Sequence, residues 1–290
     1  MMFPFISPKT DFAFKKIFGG PQSKSILLSF LNALLYEGDS TIKDLTIIDP
    51  YQAPRVEGMK DSFLDVKAEL VDGRAVIIEM QVLNVLGFKK RVLYNAAKAS
   101  STQLKAGDDY DLLNPVIALT ITDFEMLPDS DKVISRYQLK EKDELTDYND
   151  DIELVFAELP KFKKESDELV SLSDKWLYFL KEANRLESVP SNLEEEPAIH
   201  DAFEIAQQSR LTRDEMEILD KQAMFIHDSR NAVRLGIKQG IEQGRQEGVE
   251  LGEQRKAIAV ARSLLNDLSV EKIAEVTGLS TDEVARLKRD

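Results

Sequence analysis

The sequence contains no cysteine and only two histidines, and these shortages remove whole classes of chemistry. Without cysteine there is no disulfide, no thiolate zinc site and no cysteine nucleophile. His200 and His227 both fall in late segments with a helical pattern, so a histidine-based metal site is not expected. A metal ion would instead be held by carboxylate oxygens, which favours Mg²⁺, Mn²⁺ or Ca²⁺.

Long hydrophobic runs are missing as well. No apolar run approaches the roughly 20 residues that span a bilayer, and residues 1–6 lack a basic leader. With the absence of cysteine, this pattern indicates a cytoplasmic protein. Neither a Gly-rich phosphate loop nor a Gly-x-Ser-x-Gly element occurs, which argues against an ATPase and against a serine hydrolase.

Positive charge is scarce, because 38 Lys and Arg face 52 Asp and Glu and give a formal net charge of -14. Nucleic-acid binding over the whole surface is therefore not expected, since phosphate binding needs clustered bases. No acid occurs between Leu83 and Gly107. The bases of this stretch are Lys89, Lys90, Arg91, Lys98 and Lys105. We expect it to face phosphates, with a solvated helix face as the alternative.

The chain is long and apolar enough to bury a full core, with 290 residues and 43% hydrophobic content. Helical spacing predicts two helices between Thr10 and Tyr36, and a strand follows at 45–48. The next patterns predict strands at 63–70 and 75–82, a helix at 86–104 and a strand at 116–121. Further strands are predicted at 133–139 and 152–159, with helices from 166 onward. This order predicts an α/β fold, a mixed sheet flanked by helices.

Three regions follow from these patterns: a domain over residues 1–230, a glycine-repeat linker over 231–256, and a C-terminal segment over 257–290. In the linker, glycine recurs every four residues, at Gly236, Gly240, Gly244, Gly248 and Gly252. Each glycine costs a helix roughly 1 kcal/mol relative to alanine. The linker is therefore either a long helix used for spacing or self-association, or a disordered segment.

The C-terminal segment resembles a helix-turn-helix. Ser269 and Ser280 are predicted to cap its short helices, with a glycine turn at Gly278. In that interpretation residues 281–288 form the second helix and approach a major groove. A helical hairpin that contacts protein is the alternative, because acids accompany the few bases of this helix.

The residues most informative about chemistry are Asp65, Glu79 and Gln81, on two strands expected to be adjacent and antiparallel. The pattern Val71-Asp72-Gly73-Arg74 between these strands is typical of a hairpin turn. Two neighbouring carboxylates repel each other unless a divalent ion bridges them. A hard metal site is the functional interpretation, and a pair of surface carboxylates on a half-exposed sheet is the structural alternative.

The register of the hairpin decides whether the two acids can cooperate. A two-residue turn would oppose Asp65 to Met80 and separate the acids, whereas a three-residue loop with a left-handed Gly73 opposes Asp65 to Glu79. The hydrophobic pattern favours the second register. It pairs Leu64 with Met80, Val66 with Ile78 and Ala68 with Val76 on one apolar face.

These motifs, in this order, resemble the Rpn family of recombination-promoting nucleases, a transposase-like branch of the PD-(D/E)XK nucleases. The resemblance spans most of residues 7–230. The matching segments are Thr10-Asp-Phe-Ala-Phe-Lys-Lys-Ile-Phe18, Lys60-Asp-Ser-Phe-Leu-Asp65, Asp72-Gly73-Arg74, Ile78-Glu79-Met80-Gln81, Arg91-Val-Leu-Tyr94 and Pro115-Val-Ile-Ala-Leu-Thr-Ile-Thr-Asp-Phe124.

The resemblance implies a PD-(D/E)XK restriction-endonuclease-like core and a metal-dependent DNA endonuclease linked to recombination or a mobile element. Asp65 and Glu79 would bind Mg²⁺, and Gln81 stands where the superfamily usually has lysine. Asp11 would add an outer contact to the metal, or would serve only as the cap or first-turn acid of its helix.

The implied partner is double-stranded DNA, with Lys89, Lys90, Arg91 and Lys98 as its contacts. Glutamine can position water through hydrogen bonds but carries no charge. The alternative function is therefore a catalytically weak or inactive protein that binds DNA or supports assembly and keeps the nuclease fold.

Overall fold

A computed structural model of the chain describes residues 4–52 and 62–288. The α-helices are α1 (Asp11–Phe18), α2 (Lys24–Tyr36), α3 (Phe88–Ser101), α4 (Leu172–Glu182), α5 (Ser191–Glu194), α6 (Pro197–Ala206), α7 (Arg213–Leu264), α8 (Val270–Thr277) and α9 (Thr281–Leu287). The strands are β1 (Leu45–Ile48), β2 (Tyr51–Gln52), β3 (Ser62–Phe63), β4 (Val66–Leu70), β5 (Ala75–Gln81), β6 (Val116–Thr122), β7 (Ile134–Lys140) and β8 (Asp147–Glu158).

The main sheet has the strand order β1-β4-β5-β6-β8-β7. Its centre is parallel, because β6 pairs with both β5 and β8 in the same direction, while the other pairs are antiparallel. The helix α3 makes the crossover from β5 to β6, as strand, helix, strand order requires. The mixed sheet with flanking helices and a helical C-terminal region confirms the predicted α/β fold.

Helices cover both faces of the sheet. On one face α1, α2, α4 and α6 form the larger core, and aromatic rings from three of these helices meet at Phe18, Phe30 and Trp176. The helix α4 faces this core, since the Trp176 side chain is fully buried. On the other face α3 packs through Ala96 and Ala99. Burial of this apolar surface on both faces stabilises the central strands.

The β4–β5 hairpin has the register favoured by its hydrophobic pattern. Val66 pairs with Ile78 and Ala68 pairs with Val76, and their side chains belong to the larger core. The Leu70 amide donates to the Arg74 carbonyl at 2.9 Å across a three-residue loop. These pairs confirm the three-residue loop, and they bring the beginning of β4 and the end of β5 to one edge of the sheet.

The expected position of Leu64 was wrong. The chain bends at Asp65, so the predicted strand 63–70 is divided into β3 and β4. Leu64 packs with Ile77 on the α3 face, whereas Met80 lies in the larger core on the opposite face. Alternation along a strand holds only while the backbone stays extended, and the bend reverses the face that Leu64 occupies.

Gly73 is required by the loop of this hairpin. Its φ is +89°, and a Cβ at this position would lie 2.5 Å from Asn114 Oδ1. We expect Gly73→Ala to lower the free energy of unfolding by about 2 kcal/mol, because alanine disfavours a positive φ and the Asn114 side chain must move. Urea denaturation followed by circular dichroism measures this loss.

Gly107→Ala is the matched control for Gly73→Ala. Gly107 has a similar φ of +94°, but nothing lies within 4 Å of the Cβ that alanine would add. The backbone effect alone should cost about 1 kcal/mol. Equal losses in the two variants would show that the contact with Asn114 contributes nothing.

The chain divides into two compact units, Met1–His227 and Asp228–Asp290. In the second unit α8 and α9 enclose a small core with Ala261, Ile273 and Val284. Ser269 and Ser280 cap these helices, and the turn between them has Gly278 at a φ of +76°, as expected.

The glycine repeat lies inside α7, so the structure has the helix and not the disordered alternative. Within the described residues no helix combines the length and apolar character needed to cross a membrane.

Candidate active site

Polar side chains from four parts of the first unit surround a cavity of about 470 Å³ beside the end of β5. Open sheets of this kind bind ligands outside the carboxyl ends of their parallel strands, where β5 ends. The lining residues are Lys9, Asp11, Asp65, Glu79, Met80, Gln81, Val82, Leu83, Arg91, Lys221, Gln222, Phe225 and Ile226. The structure therefore brings the predicted residues Asp65, Glu79 and Gln81 to one cavity.

Asp65 occupies the bend immediately before β4. Its Oδ2 accepts a hydrogen bond from the Met80 amide at 2.7 Å, so the side chain continues the pairing between the strands. The other oxygen lies 3.6 Å from Lys15 Nζ, and the side chain is 11% exposed. Burial, together with a hydrogen bond to Asp11, raises the pKa of Asp65 to about 7.

Asp11 lies in the first turn of α1, after the N-cap residue Thr10. Its carboxylate makes an ion pair with Lys15 at 2.6 Å and a hydrogen bond with Asp65. Burial alone would raise the pKa of Asp11, but the hydrogen bonds from Lys15 and Asp65 outweigh it and lower this pKa. The interaction between the two carboxyl groups thus lowers the pKa of Asp11 and raises that of Asp65.

Glu79 lies on β5 and is held by α3. One carboxylate oxygen forms an ion pair with Arg91, and Asn95 Nδ2 donates to the other at 3.4 Å. Burial raises the pKa of Glu79, and Arg91 opposes this shift. Arg91 also donates to Gln81 Oε1 at 2.6 Å, while the Gln81 amide nitrogen donates to the Leu83 carbonyl. One guanidinium thus bridges both residues of the Glu-x-Gln motif.

The raised pKa of Asp65 gives the stability of the metal-free protein a defined pH dependence. Between its ordinary value of 3.8 and about 7, the native state keeps a proton that the unfolded chain has released. Stability contributed by Asp65 is therefore lost as the pH rises through this window. The pKa of Asp11 is lowered instead, so Asp11 changes the stability only at pH values below this window.

We expect Asp65→Asn to remove this loss, because the amide does not titrate. In EDTA, the free energy of unfolding of the variant should rise relative to that of the natural protein as the pH increases from about 4 to about 7. Urea denaturation at several pH values measures the difference. A difference that stays constant across the window would contradict the assignment to Asp65.

The donor set of the cavity matches a hard divalent cation, because Asp11, Asp65, Glu79 and Gln81 all offer oxygen. Within residues 4–52 and 62–288, however, no three acids or histidines form a ready-made metal cluster. Glu79 is instead engaged by Arg91 and Asn95. Binding of a cation would require Glu79 to exchange its partner.

The predicted DNA contacts do not share one environment. Lys89 and Lys90 are exposed in the first turn of α3, and Arg91 reaches into the cavity. Lys98 is only 8% exposed. Lys98 therefore offers much less surface to a phosphate than Lys89 and Lys90 do.

Comparison with known families decides the classification. The family described as PD-(D/E)XK nuclease family transposase matches residues 8–236, which is most of the chain. The chain belongs to this family.

Membership in the PD-(D/E)XK nuclease family transposases supports a nuclease or transposase-like role. Nucleases of the PD-(D/E)XK type generally use divalent metals, in agreement with the oxygen donors of the cavity. The chain matches no curated protein and no solved structure. The roles of individual residues therefore have to be argued from the cavity itself.

Several residues that line the cavity, and Asn95, which contacts Glu79 behind it, were not identified from the sequence. Asn95 carries a helical signal, because it follows Arg91 by four residues and so shares its face of α3. Lys9 pairs with Asp123 at 3.2 Å, a contact across 114 residues. Lys221, Gln222, Phe225 and Ile226 come from α7. No local pattern places a helix more than 130 residues away in sequence against the end of β5.

Proposed function

We propose that this PD-(D/E)XK nuclease family transposase is a metal-dependent endonuclease that hydrolyses phosphodiester bonds in double-stranded DNA, in recombination or in the movement of a mobile element. The observation that carries the proposal is the convergence of Asp65 and Glu79 on one cavity at the end of β5. The side chain of Asp65 is 11% exposed and that of Glu79 is 15% exposed. Largely buried acids with raised pKa values, gathered in one cleft, are typical of metal and catalytic sites.

Asp65 and Glu79 would hold the cation, with Asp11 as an outer contact. When bound, a divalent cation lowers the pKa of a water ligand and neutralises charge on the scissile phosphate. Gln81 can orient a water molecule by hydrogen bonding, but it adds no charge. Arg91 supplies that charge at the same place, because its guanidinium already contacts Gln81.

DNA would approach along α3, whose exposed first turn carries Lys89 and Lys90 next to the cavity that Arg91 lines. Phosphate contacts fix the position of a duplex without reading its sequence. The net charge of -14 makes such a local surface necessary, since the rest of the protein repels the phosphates.

Cleavage of supercoiled plasmid tests the proposal. Purified protein should convert the plasmid to nicked or linear DNA with Mg²⁺ or Mn²⁺ and leave it intact with EDTA. Folded protein that cuts no DNA under any divalent metal would overturn the endonuclease. Cleavage that persists in EDTA would instead overturn its dependence on a metal.

A DNA-binding protein without catalysis is the second candidate, and one observation favours it. Glu79 is paired with Arg91 in a site where glutamine replaces the usual lysine. Such a protein should bind plasmid in a gel-shift assay without cutting it. Its binding should also be insensitive to Glu79→Ala.

We also propose that the glycine repeat of α7 mediates self-association. A Cβ at Gly240 or Gly244 would meet no atom within 4 Å. Ile237 and Ile241, which follow Gly236 and Gly240, are 58 and 67% exposed. A helix gains about 1 kcal/mol from each Gly→Ala change, whereas close packing of two helices at glycine excludes the added methyl group.

The double variant Gly240→Ala, Gly244→Ala should therefore raise helix content and weaken self-association at the same time. Circular dichroism measures the first effect and analytical ultracentrifugation measures the second. Gln239→Ala is the control, because it changes a neighbouring residue and leaves the glycines intact. A variant that remains as oligomeric as the natural protein would contradict the role of the repeat.

A further inference from the structure

The first turns of α7 are fixed against α1. Thr212 and Glu215 cap the helix reciprocally, with the Thr212 amide 2.9 Å from the Glu215 carboxylate. Lys16 of α1 forms an ion pair with Glu215. About two turns further along α7, Gln222 Oε1 accepts a hydrogen bond from the Phe12 amide at 3.1 Å. These contacts give the start of α7 a defined place beside the cavity.

Phe225 and Lys221 extend from this anchored segment into the wall of the cavity, one helical turn apart. The Phe225 side chain is 67% exposed, although a phenyl ring gains stability from burial. Its neighbour Met224 is 65% exposed but does not line the cavity. An aromatic ring left open in the wall of a cavity that also holds charged side chains therefore distinguishes this position from ordinary surface exposure.

The charges around Phe225 favour a nucleotide as its occupant. Lys221 makes an ion pair with Glu217 at 2.6 Å, and both side chains are largely exposed. Exposed pairs of this kind contribute little, so Lys221 can exchange its partner for a phosphate. Arg91 lines the same cavity. A cation followed by an aromatic ring is the combination that binds the backbone and base of an unpaired strand.

We propose that Phe225 forms a stacking site for a nucleobase next to the cleaved phosphate, with Lys221 contacting the backbone of that nucleotide. This inference rests on the proposed function, since it assumes that DNA enters the cavity. Bases inside a duplex present no free face, so the base must leave the stack. DNA with an unpaired base should therefore bind more tightly than a fully paired duplex.

Fluorescence of a tryptophan variant tests the stacking directly. The sequence has one tryptophan, Trp176, which is fully buried. Phe225→Trp adds a reporter in the cavity, and Met224→Trp adds one at the matched position outside it. The probe is a short phosphorothioate duplex with a single unpaired base, in Mg²⁺ buffer. Its addition should quench Phe225→Trp and leave Met224→Trp unchanged.

Binding of the same probe gives a second measurement. Phe225→Ala should weaken it about tenfold, in the range found for the loss of one stacked base. Met224→Ala should bind like the natural protein, and both variants should keep its thermal stability. Equal affinities for the two alanine variants, or equal quenching of the two tryptophan variants, would overturn the stacking site.

The outcome also separates this inference from the proposed function. If the natural protein binds and cuts DNA while Phe225→Ala does both equally well, only the stacking site fails. If the natural protein binds neither duplex, the proposed function fails and the stacking site fails with it. A loss of self-association in Phe225→Ala would overturn the inference in favour of a second copy of the chain on this ring.

Discussion

Asp65→Asn and Glu79→Gln should each reduce the rate of DNA cleavage by about a thousandfold or more, the loss of roughly 4 kcal/mol of transition-state stabilisation. Each substitution keeps the shape of the side chain and removes the negative charge that would hold a divalent cation. Both acids line the cavity at the end of β5. Plasmid cleavage in Mg²⁺ measures the rate, and isothermal titration calorimetry measures the loss of metal affinity.

Glu69→Gln is the matched control for these variants. Glu69 lies on the same hairpin, within β4, but it is exposed and does not line the cavity. The Glu69→Gln variant should cleave DNA at the rate of the natural protein. If Asp65→Asn or Glu79→Gln keeps a comparable rate while remaining folded, the carboxylates do not hold the catalytic metal.

Arg91→Ala should lower the cleavage rate by about a hundredfold to a thousandfold, the range for removal of one preorganised group that stabilises transition-state charge. Arg91 bridges Glu79 and Gln81, so its charge lies where a neutral glutamine leaves the motif without one. Arg91→Lys should be intermediate, because an ammonium keeps the charge but loses the forked donors. Single-turnover cleavage with saturating protein separates this effect from weaker DNA binding.

A rescue experiment makes this prediction specific. Gln81 Oε1 lies 2.6 Å from the Arg91 guanidinium, so a lysine at position 81 would place a charge in the same region. Adding Gln81→Lys to Arg91→Ala should therefore restore part of the single-turnover rate. Lys90→Ala, on the exposed side of α3, should weaken binding at high salt and leave that rate unchanged. If Arg91→Ala behaves like Lys90→Ala, Arg91 only contacts the backbone of DNA.

The sheet and the hairpin were predictable because local patterns determine them. Apolar alternation in β4 and β5 allowed only one register with a buried face, and the loop glycine was compatible with it. The strand β1 was predicted with its observed bounds, Leu45–Ile48. Such predictions succeed where each residue's preference agrees with the fold around it.

The bend at Asp65 could not be predicted in the same way. The pattern around Leu64 continues the alternation, yet the Asp65 side chain accepts the hydrogen bond of the Met80 amide and turns the chain. A polar side chain that replaces a backbone partner leaves no periodic signal. A difference of this kind between the sequence pattern and the backbone is expected at functional sites, where side chains are positioned for a reaction at the expense of regular secondary structure.

The position of Arg91 and the cavity wall from α7 depend on tertiary contacts. The sequence identified Arg91 only as one base among several, because its two partners on β5 are defined by how α3 packs on the sheet. For α7, the contact between Phe12 and Gln222 joins positions 210 residues apart. Neither contact is encoded in the spacing of neighbouring residues.

The cavity wall formed by α7 also has a consequence for the order in which the protein is made. The sheet is complete in the nascent chain once β8 ends at Glu158, whereas α7 begins only at Arg213. Ribosomes add roughly 5–20 residues per second, so several seconds separate the two events. During that interval Asp65 and Glu79 have already been synthesised, whereas Phe225 has not. A newly synthesised chain thus acquires its carboxylates before it acquires the wall that would receive a base, and the proposed chemistry on DNA would have to wait for translation to pass α7.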